Sequence, residues 1–339
     1  MTRAQRARQP EAQDGAPSPQ GRRKALIRLV GSAVILTVLL VVLPLDELGA
    51  ALARVPWWVW LLAVPGYLSL HLVGTLKWRT MVNAAGGGLR GRDAIRCYYY
   101  GLFGNTFLPS VVGGDVVRAG LALRLSRDPH GVVIGSVVDR TMDVLALAFV
   151  AGLGVLLLPR ALDPQSRQVF WVLLGVMAVG GAVALAIVRL TPVRRFPYRV
   201  RRRLASVRRA VRSVRDRPGR VAMALALGVA LQLLLVLLQA GLGVACGIEI
   251  ALTTWLFAWP MAKLSALLPL TQGGLGVREA ALAGLLAPFG VEAVLAVAAG
   301  LVFQGVIITG GLAGGAIAHL LGRRDRESGL RGRGAVPAA

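Results

Sequence analysis

What most constrains this chain is a series of apolar runs too long for the interior of a soluble domain. Six of them, residues 29–45, 57–76, 132–158, 169–188, 221–246 and 293–321, approach or exceed the roughly 20 residues needed to cross about 30 Å of hydrocarbon. In lipid every backbone polar group must be bonded internally, so such runs fold as helices. Composition agrees. Hydrophobic residues make up 55% of the chain and the mean hydropathy is +0.64, where an ordinary soluble domain holds about 45–50% apolar residues. The expected fold class is an all-α integral membrane protein with six full transmembrane helices.

Two further stretches, about 97–131 and 250–291, are apolar but interrupted by Pro, paired Gly and charges. Charge placement decides how they run. The net charge is +23 and the pI about 11.7, a balance that also suits nucleic-acid binders. Here the basic residues sit in blocks between apolar runs, the pattern of cytoplasmic loops, so nucleic acid is not an expected partner. Seven Lys/Arg precede the first run, five lie between Lys77 and Arg96, thirteen fall within 189–220 and five follow Gly322; the loop 159–168 has two. With both termini cytoplasmic every rich block lies inside, provided that each interrupted stretch returns to the side it left. Each is therefore expected to be a re-entrant or broken helical hairpin, the first opening to the cytoplasm and the second to the opposite side.

The two stretches share a motif. Residues 108–118, LPSVVGGDVVR, align without gaps on residues 268–278, LPLTQGGLGVR, and six of the eleven positions match: Leu-Pro, Gly-Gly and Val-Arg. Pro breaks the incoming helix and the Gly pair lets the backbone turn. The outgoing helix then begins near the Gly pair, where its free N–H groups favour an anion, and Arg adds a cation suited to phosphate. Broken segments entering from opposite faces are the pattern of inverted-repeat transporters. On this reading Asn105, Gly113, Gly114, Asp115, Arg118, Gly273, Gly274, Arg278 and Glu279 are candidate contacts to a lipid headgroup or phosphate. Asp115 also suits the N-cap of the outgoing helix.

Charged residues inside apolar segments form a second candidate set. Asp139 and Asp143 lie one turn apart with Arg140 between them, and Lys263, Arg278 and Glu279 surround the second hairpin. A charge at mid-membrane costs roughly 3 kcal/mol, so these groups should face the bundle interior and pair. His71 and Gln304 are read as hydrogen-bonding packers. No metal or cofactor is expected: the cysteines (Cys97, Cys246) form no cluster and the histidines no HExxH pair.

The remaining segments are polar. Residues 1–24 read as a disordered basic cytoplasmic leader. The first run resembles a signal peptide, with Ala51-Leu52-Ala53 as a mimic of a cleavage site, but its length favours an uncleaved span. The membrane domain is expected over 25–322 and a basic cytoplasmic tail over 323–339. Within 189–220, Val200, Leu204, Val207, Val211 and Val214 recur at spacings of three and four among arginines. This is the pattern of a cytoplasmic amphipathic helix on the anionic inner leaflet.

Asn105 with Leu108-Pro109, Gly114-Asp115 with Arg118, Arg140 with Asp143, and the run 273–280, GGLGVREA, resemble the flippase-like membrane family that includes the membrane half of lysylphosphatidylglycerol synthases. The resemblance covers about residues 25–322. It implies a bacterial-type plasma (inner) membrane protein that moves a lipid, such as an aminoacylated phospholipid or a polyprenyl-linked headgroup, between leaflets. Only a short basic tail follows residue 322, so lipid synthesis is not expected and the chain is read as a transporter rather than an enzyme. Its expected partners are membrane lipids, an anionic phospholipid or lipid-linked substrate, with a homo-oligomer or partner synthase left open. No GxxxxGK[ST] motif is present, so transport would be facilitated or driven by an ion or the membrane potential. Two other readings compete: a membrane enzyme using Asp139 and Asp143, and a non-catalytic membrane subunit.

Overall fold

A computed structural model of the chain describes residues 45–107, 113–158, 168, 171–172, 175, 209, 211–266 and 276–334, with side chains described as far as residue 323. Among the described residues the regular elements are all helical. They are α1 (Leu45–Ala53), α2 (Trp57–Ala84), α3 (Gly91–Phe107), α4 (Gly113–Leu125), α5 (Pro129–Leu157), α6 (Pro218–Ala245), α7 (Leu252–Ser265), α8 (Val277–Leu286), a 3-10 turn (Ala287–Phe289) and α9 (Ala293–Gly334). Helices α2, α5, α6 and the Ala293–Arg323 part of α9 are long and apolar enough to cross a membrane. They coincide with four of the six expected spans. The expected spans at 29–45 and 169–188 lie almost wholly outside the described residues, as do the leader 1–24 and both motif breaks, including Gly273 and Gly274.

Local chemistry sets the helix ends. Asp128 caps α5 by accepting the His130 N–H at 2.9 Å, and Pro129 supplies the fixed φ of a first helical residue. Helix α2 runs eight residues past its expected end at 76, which corrects the assignment of Lys77 to a basic loop. Its last carbonyls are satisfied from a distant part of the chain: Ser213 Oγ donates to Ala84 O (2.8 Å), and Arg217 Nη1 donates to Asn83 O and Ala84 O (3.3 and 3.2 Å). Residues 211–215 are helical, and residues 189–208 of the Arg-rich segment, expected as an amphipathic helix, lie outside the described residues. Val214 is buried with Met81, Ala84, Met142 and Ala224. The described end of the basic helix is thus docked on the bundle, and residues 218–220 already belong to α6.

The order long, short, short, long occurs twice, as α2–α5 and as α6–α9. Helix α2 packs against α6, and the paired short helices pack on each other, α3 on α4 and α7 on α8. Each half also reaches into the other: α3 lies on α9, and α7 lies on α5. Glycine permits both crossings. A Cβ at Gly154 of α5 would sit 2.6 Å from the Phe257 backbone nitrogen of α7, and one at Gly311 of α9 would sit 3.0 Å from Leu102 O of α3. Small residues at helix crossings are how membrane helices gain contact where lipid supplies no hydrophobic drive.

Contacts at the two ends fix how the hairpins open. At one end the Arg127 N–H donates to Gly87 O (3.0 Å), and Arg217 holds the end of α2. Arg96, near the start of α3, packs against Gly322 of α9 at that same end. At the opposite end Arg54 lies by Gly247 just before α7, and Trp60 packs against Gly305 of α9. The α3–α4 hairpin therefore opens toward the first end, and α7–α8 toward the other. Trp57, Leu62, Val116, Phe149, Leu156 and Val244 are exposed, while Lys77, Arg118, Asp139, Gln239, Arg278 and Glu279 are buried. An apolar exterior around a polar interior is the arrangement a lipid-solvated bundle requires.

The exchanged crossings generate a stability test. Gly154→Val should drive a side chain into the α7 backbone and cost about 1–3 kcal/mol, read as a lower unfolding temperature in detergent. Gly241→Ala, where an added Cβ meets nothing within 4 Å, should leave that temperature unchanged or raise it.

Candidate functional site

The first hairpin closes through its own sequence. Asn105, near the end of α3, accepts the Gly114 N–H on Oδ1 at 2.8 Å, so its amide caps the outgoing helix. The α4 N-terminus lies so close to α3 that a Cβ at Gly114 would overlap Gly101 O and the Asn105 side chain. The described part of α4 starts at the Gly pair. Asp115, expected as the cap, is instead displaced into ion pairs because Asn105 already fills the capping role.

Those ion pairs form a closed ring. Lys77 on α2 bonds Asp143 Oδ1 at 2.9 Å and Asp139 Oδ1 at 2.5 Å, both on α5. Asp139 Oδ2 accepts from Arg118 Nη2 at 2.9 Å, and Arg118 also meets Asp115 Oδ1 at 3.1 Å, both on α4. Asp115 Oδ2 pairs with Arg140 Nη2 at 2.6 Å, and Arg140 Nη1 approaches Asp143 Oδ2 at 3.8 Å, which closes the circuit. Three cations alternate with three carboxylates, so the ring is formally neutral. Asp139 is 0% exposed and Lys77 1%. Asp139 lies ten residues into α5, about 15 Å along the helix axis. Only Arg140, with its side chain 41% exposed, reaches outward.

Such a ring does not stabilise a protein relative to an apolar core, because desolvation offsets the Coulombic gain. It does fix geometry: α2, α4 and α5 cannot slide without separating charges in a low-dielectric interior.

The second motif makes a smaller version of the same device. Gly276 adopts φ +83°, a conformation that suits glycine, and opens α8. Glu279 Oε2 accepts the Gly276 N–H at 2.7 Å, while its Oε1 accepts from Arg278 Nε and Nη2 at 3.1 and 2.6 Å. Glu279 is thus both the N-terminal cap and the partner of Arg278. Arg278 also donates to Gln304 Oε1 on α9 at 3.1 Å, so Gln304 is the hydrogen-bonding packer expected.

Both motif arginines lie over two aromatic rings. The Arg118 Cζ is 5.1 Å from the centroids of Trp78 and of Tyr98, and the Arg278 Cζ is 5.5 Å from Trp259 and 5.7 Å from Phe303. His71 Nδ1 lies 3.4 Å from Tyr98 Oη, extending the polar cluster along α2. Carboxylates engage both guanidinium groups, while the buried Arg118 Nε has no acceptor among the described residues. Lys263 does not pair with the Arg278–Glu279 couple; its ammonium donates to Gln232 Oε1 of α6 at 2.9 Å.

Lys77, Trp78, Tyr98, Gln232, Trp259 and Phe303 were not singled out in the sequence. Lys77 and Arg79 look like a cytoplasmic flank; the signal against that reading is the continued spacing of Gly74, Trp78 and Met81 on one helical face.

The ring's charge balance is testable in thermal unfolding. Lys77→Met leaves one carboxylate unmatched and should cost about 3–5 kcal/mol. Adding Asp143→Asn restores neutrality, so the double variant should recover much of that loss; a double variant less stable than the single one would contradict a balanced ring.

Residues 26–315 match the family defined by the lysylphosphatidylglycerol synthase TM region. No curated protein matches the chain.

Proposed function

This chain belongs to the lysylphosphatidylglycerol synthase TM-region family, and we propose that it moves a phospholipid or polyprenyl-linked lipid between leaflets. The observation that carries the reading is the neutral ring of buried charge, joined through Asp115 and Arg118 to the first turn of a broken hairpin. A headgroup crossing hydrocarbon needs polar partners that add no net charge of their own, and an alternating ring offers both signs at once. Asp115, Asp139, Asp143 and Glu279 would meet cationic parts of a headgroup. Arg118 and Arg278 would take its phosphate as they exchange partners with those carboxylates.

We further read the two halves as an inverted repeat. The duplicated element order, the shared motif, the exchanged packing and the opposite opening of the hairpins support it. The end bearing Arg96 and Arg217 is then cytoplasmic by its positive charge, in the inner membrane of a bacterial-type cell. Asp139 has both oxygens engaged, by Lys77 and Arg118, which favours a structural and conducting role over service as a general base, so we read the protein as a transporter and not an enzyme.

Two measurements test this reading. In liposomes carrying the purified protein, a fluorescent phospholipid should exchange between leaflets, and Arg118→Ala or Arg278→Ala should slow exchange roughly tenfold or more while the protein still unfolds cooperatively. Absence of any protein-dependent exchange across anionic, zwitterionic and polyprenyl lipids would refute transport. Orientation is read by thiol labelling. Asp163→Cys should be modified from outside and Ser206→Cys from inside, against a low background from the buried Cys97 and Cys246.

A further inference from the structure

Among the described residues the interior charges do not balance. Lys77, Arg118 and Arg140 are matched by Asp115, Asp139 and Asp143, and Arg278 is matched by Glu279. Lys263 remains. Its ammonium bonds a neutral amide oxygen of Gln232, and the other acidic side chains among the described residues, Asp46, Glu47, Asp93, Asp128, Asp216, Glu249 and Glu292, lie in loops or at helix ends. The two motif breaks, 108–112 and 267–275, contain no acidic residue.

An unmatched ammonium costs roughly 3 kcal/mol at membrane depth unless an anion or water reaches it. Lys263 is half-buried over its whole side chain. An ammonium has three donors, and the bond to Gln232 uses one of them. A second donor lies on the same face of α7 one turn earlier: Trp259 is 0% exposed, and its indole N–H has no acceptor among the described residues. A buried donor without a partner costs about 1–3 kcal/mol, which an oxygen-rich anion would remove. The indole ring itself is held by Phe303, at 4.6 Å between centroids, and by the Arg278 guanidinium. The donor pair is therefore fixed beside the second motif, with Asp143, Arg278 and Arg140 within electrostatic reach of Lys263.

We propose that Lys263 and the Trp259 N–H form an anion subsite for the phosphodiester of a lipid whose headgroup is net negative. The proposal rests on the transport reading for its role but not for its existence. It also specifies the substrate class: one net negative charge neutralises the interior, whereas an aminoacylated phospholipid with a net positive headgroup adds to the excess.

Lipid binding to the purified full chain, followed by native mass spectrometry in detergent, tests it. Phosphatidylglycerol should bind the wild-type protein more tightly than phosphatidylcholine or lysyl-phosphatidylglycerol. Lys263→Gln should weaken phosphatidylglycerol binding roughly tenfold or more with an unchanged unfolding temperature. Lys263→Arg should retain it, and Trp259→Phe should weaken it by a smaller factor. Equal phosphatidylglycerol affinity in Lys263→Gln and wild type would overturn the proposal, as would tighter binding of lysyl-phosphatidylglycerol. Inorganic phosphate in excess should not displace the lipid; if it does, the site takes free anions and the lipid assignment falls. Selective binding that depends on Lys263, without inter-leaflet exchange in liposomes, would uphold the subsite and reject transport.

Discussion

Asp139 is the interaction on which the described bundle turns. A carboxylate in hydrocarbon is tolerable only when its charge is matched and its oxygens are bonded. Asp139 meets both conditions with cations from two other helices, Lys77 of α2 and Arg118 of α4. The span α2, the broken hairpin and the span α5 are thereby held in one register. Hydrophobic burial contributes little to such a choice, since lipid and protein interior are similarly apolar. Charge geometry and close glycine contacts select the packing.

The second hairpin uses less charge and more local bonding. Glu279 is one residue from Arg278 and caps its own helix, so this pair organises α8 and reaches α9 through the neutral Gln304. Both arginines keep their aromatic neighbours, yet one sits in a six-member ring spanning three helices and the other beside a single carboxylate. Halves that share an element order and a motif need not share their electrostatics, and this difference leaves Lys263 without a carboxylate partner among the described residues.

The sequence made the apolar helices legible because length and hydropathy alone decide whether a segment crosses a membrane. It also exposed the need of Asp139 and Asp143 for cationic partners, since their burial has so few physical solutions, while the Pro-containing breaks it predicts lie outside the described residues. It did not reveal Lys77 as a ring member. A Lys followed by Trp78 and Arg79 has the local pattern of a cytoplasmic flank, and only the position of α5 shows that its stem continues into the interior. The role of Asp115 was misjudged for a related reason: capping is local and readable, whereas Arg140 reaches it only after two helices pack. The aromatic faces around Arg118 and Arg278 come from four different helices and leave no periodic trace.

All six ring residues lie between positions 77 and 143, whereas the crossing of α3 on α9 joins segments some two hundred residues apart in sequence. At about 5–20 residues per second of synthesis, α9 emerges well after α5. The charge ring can therefore close, its charges cancelled, before α3 has α9 to rest on. The order of synthesis thus lets electrostatic closure of the first half precede the glycine-mediated contact that joins it to the second.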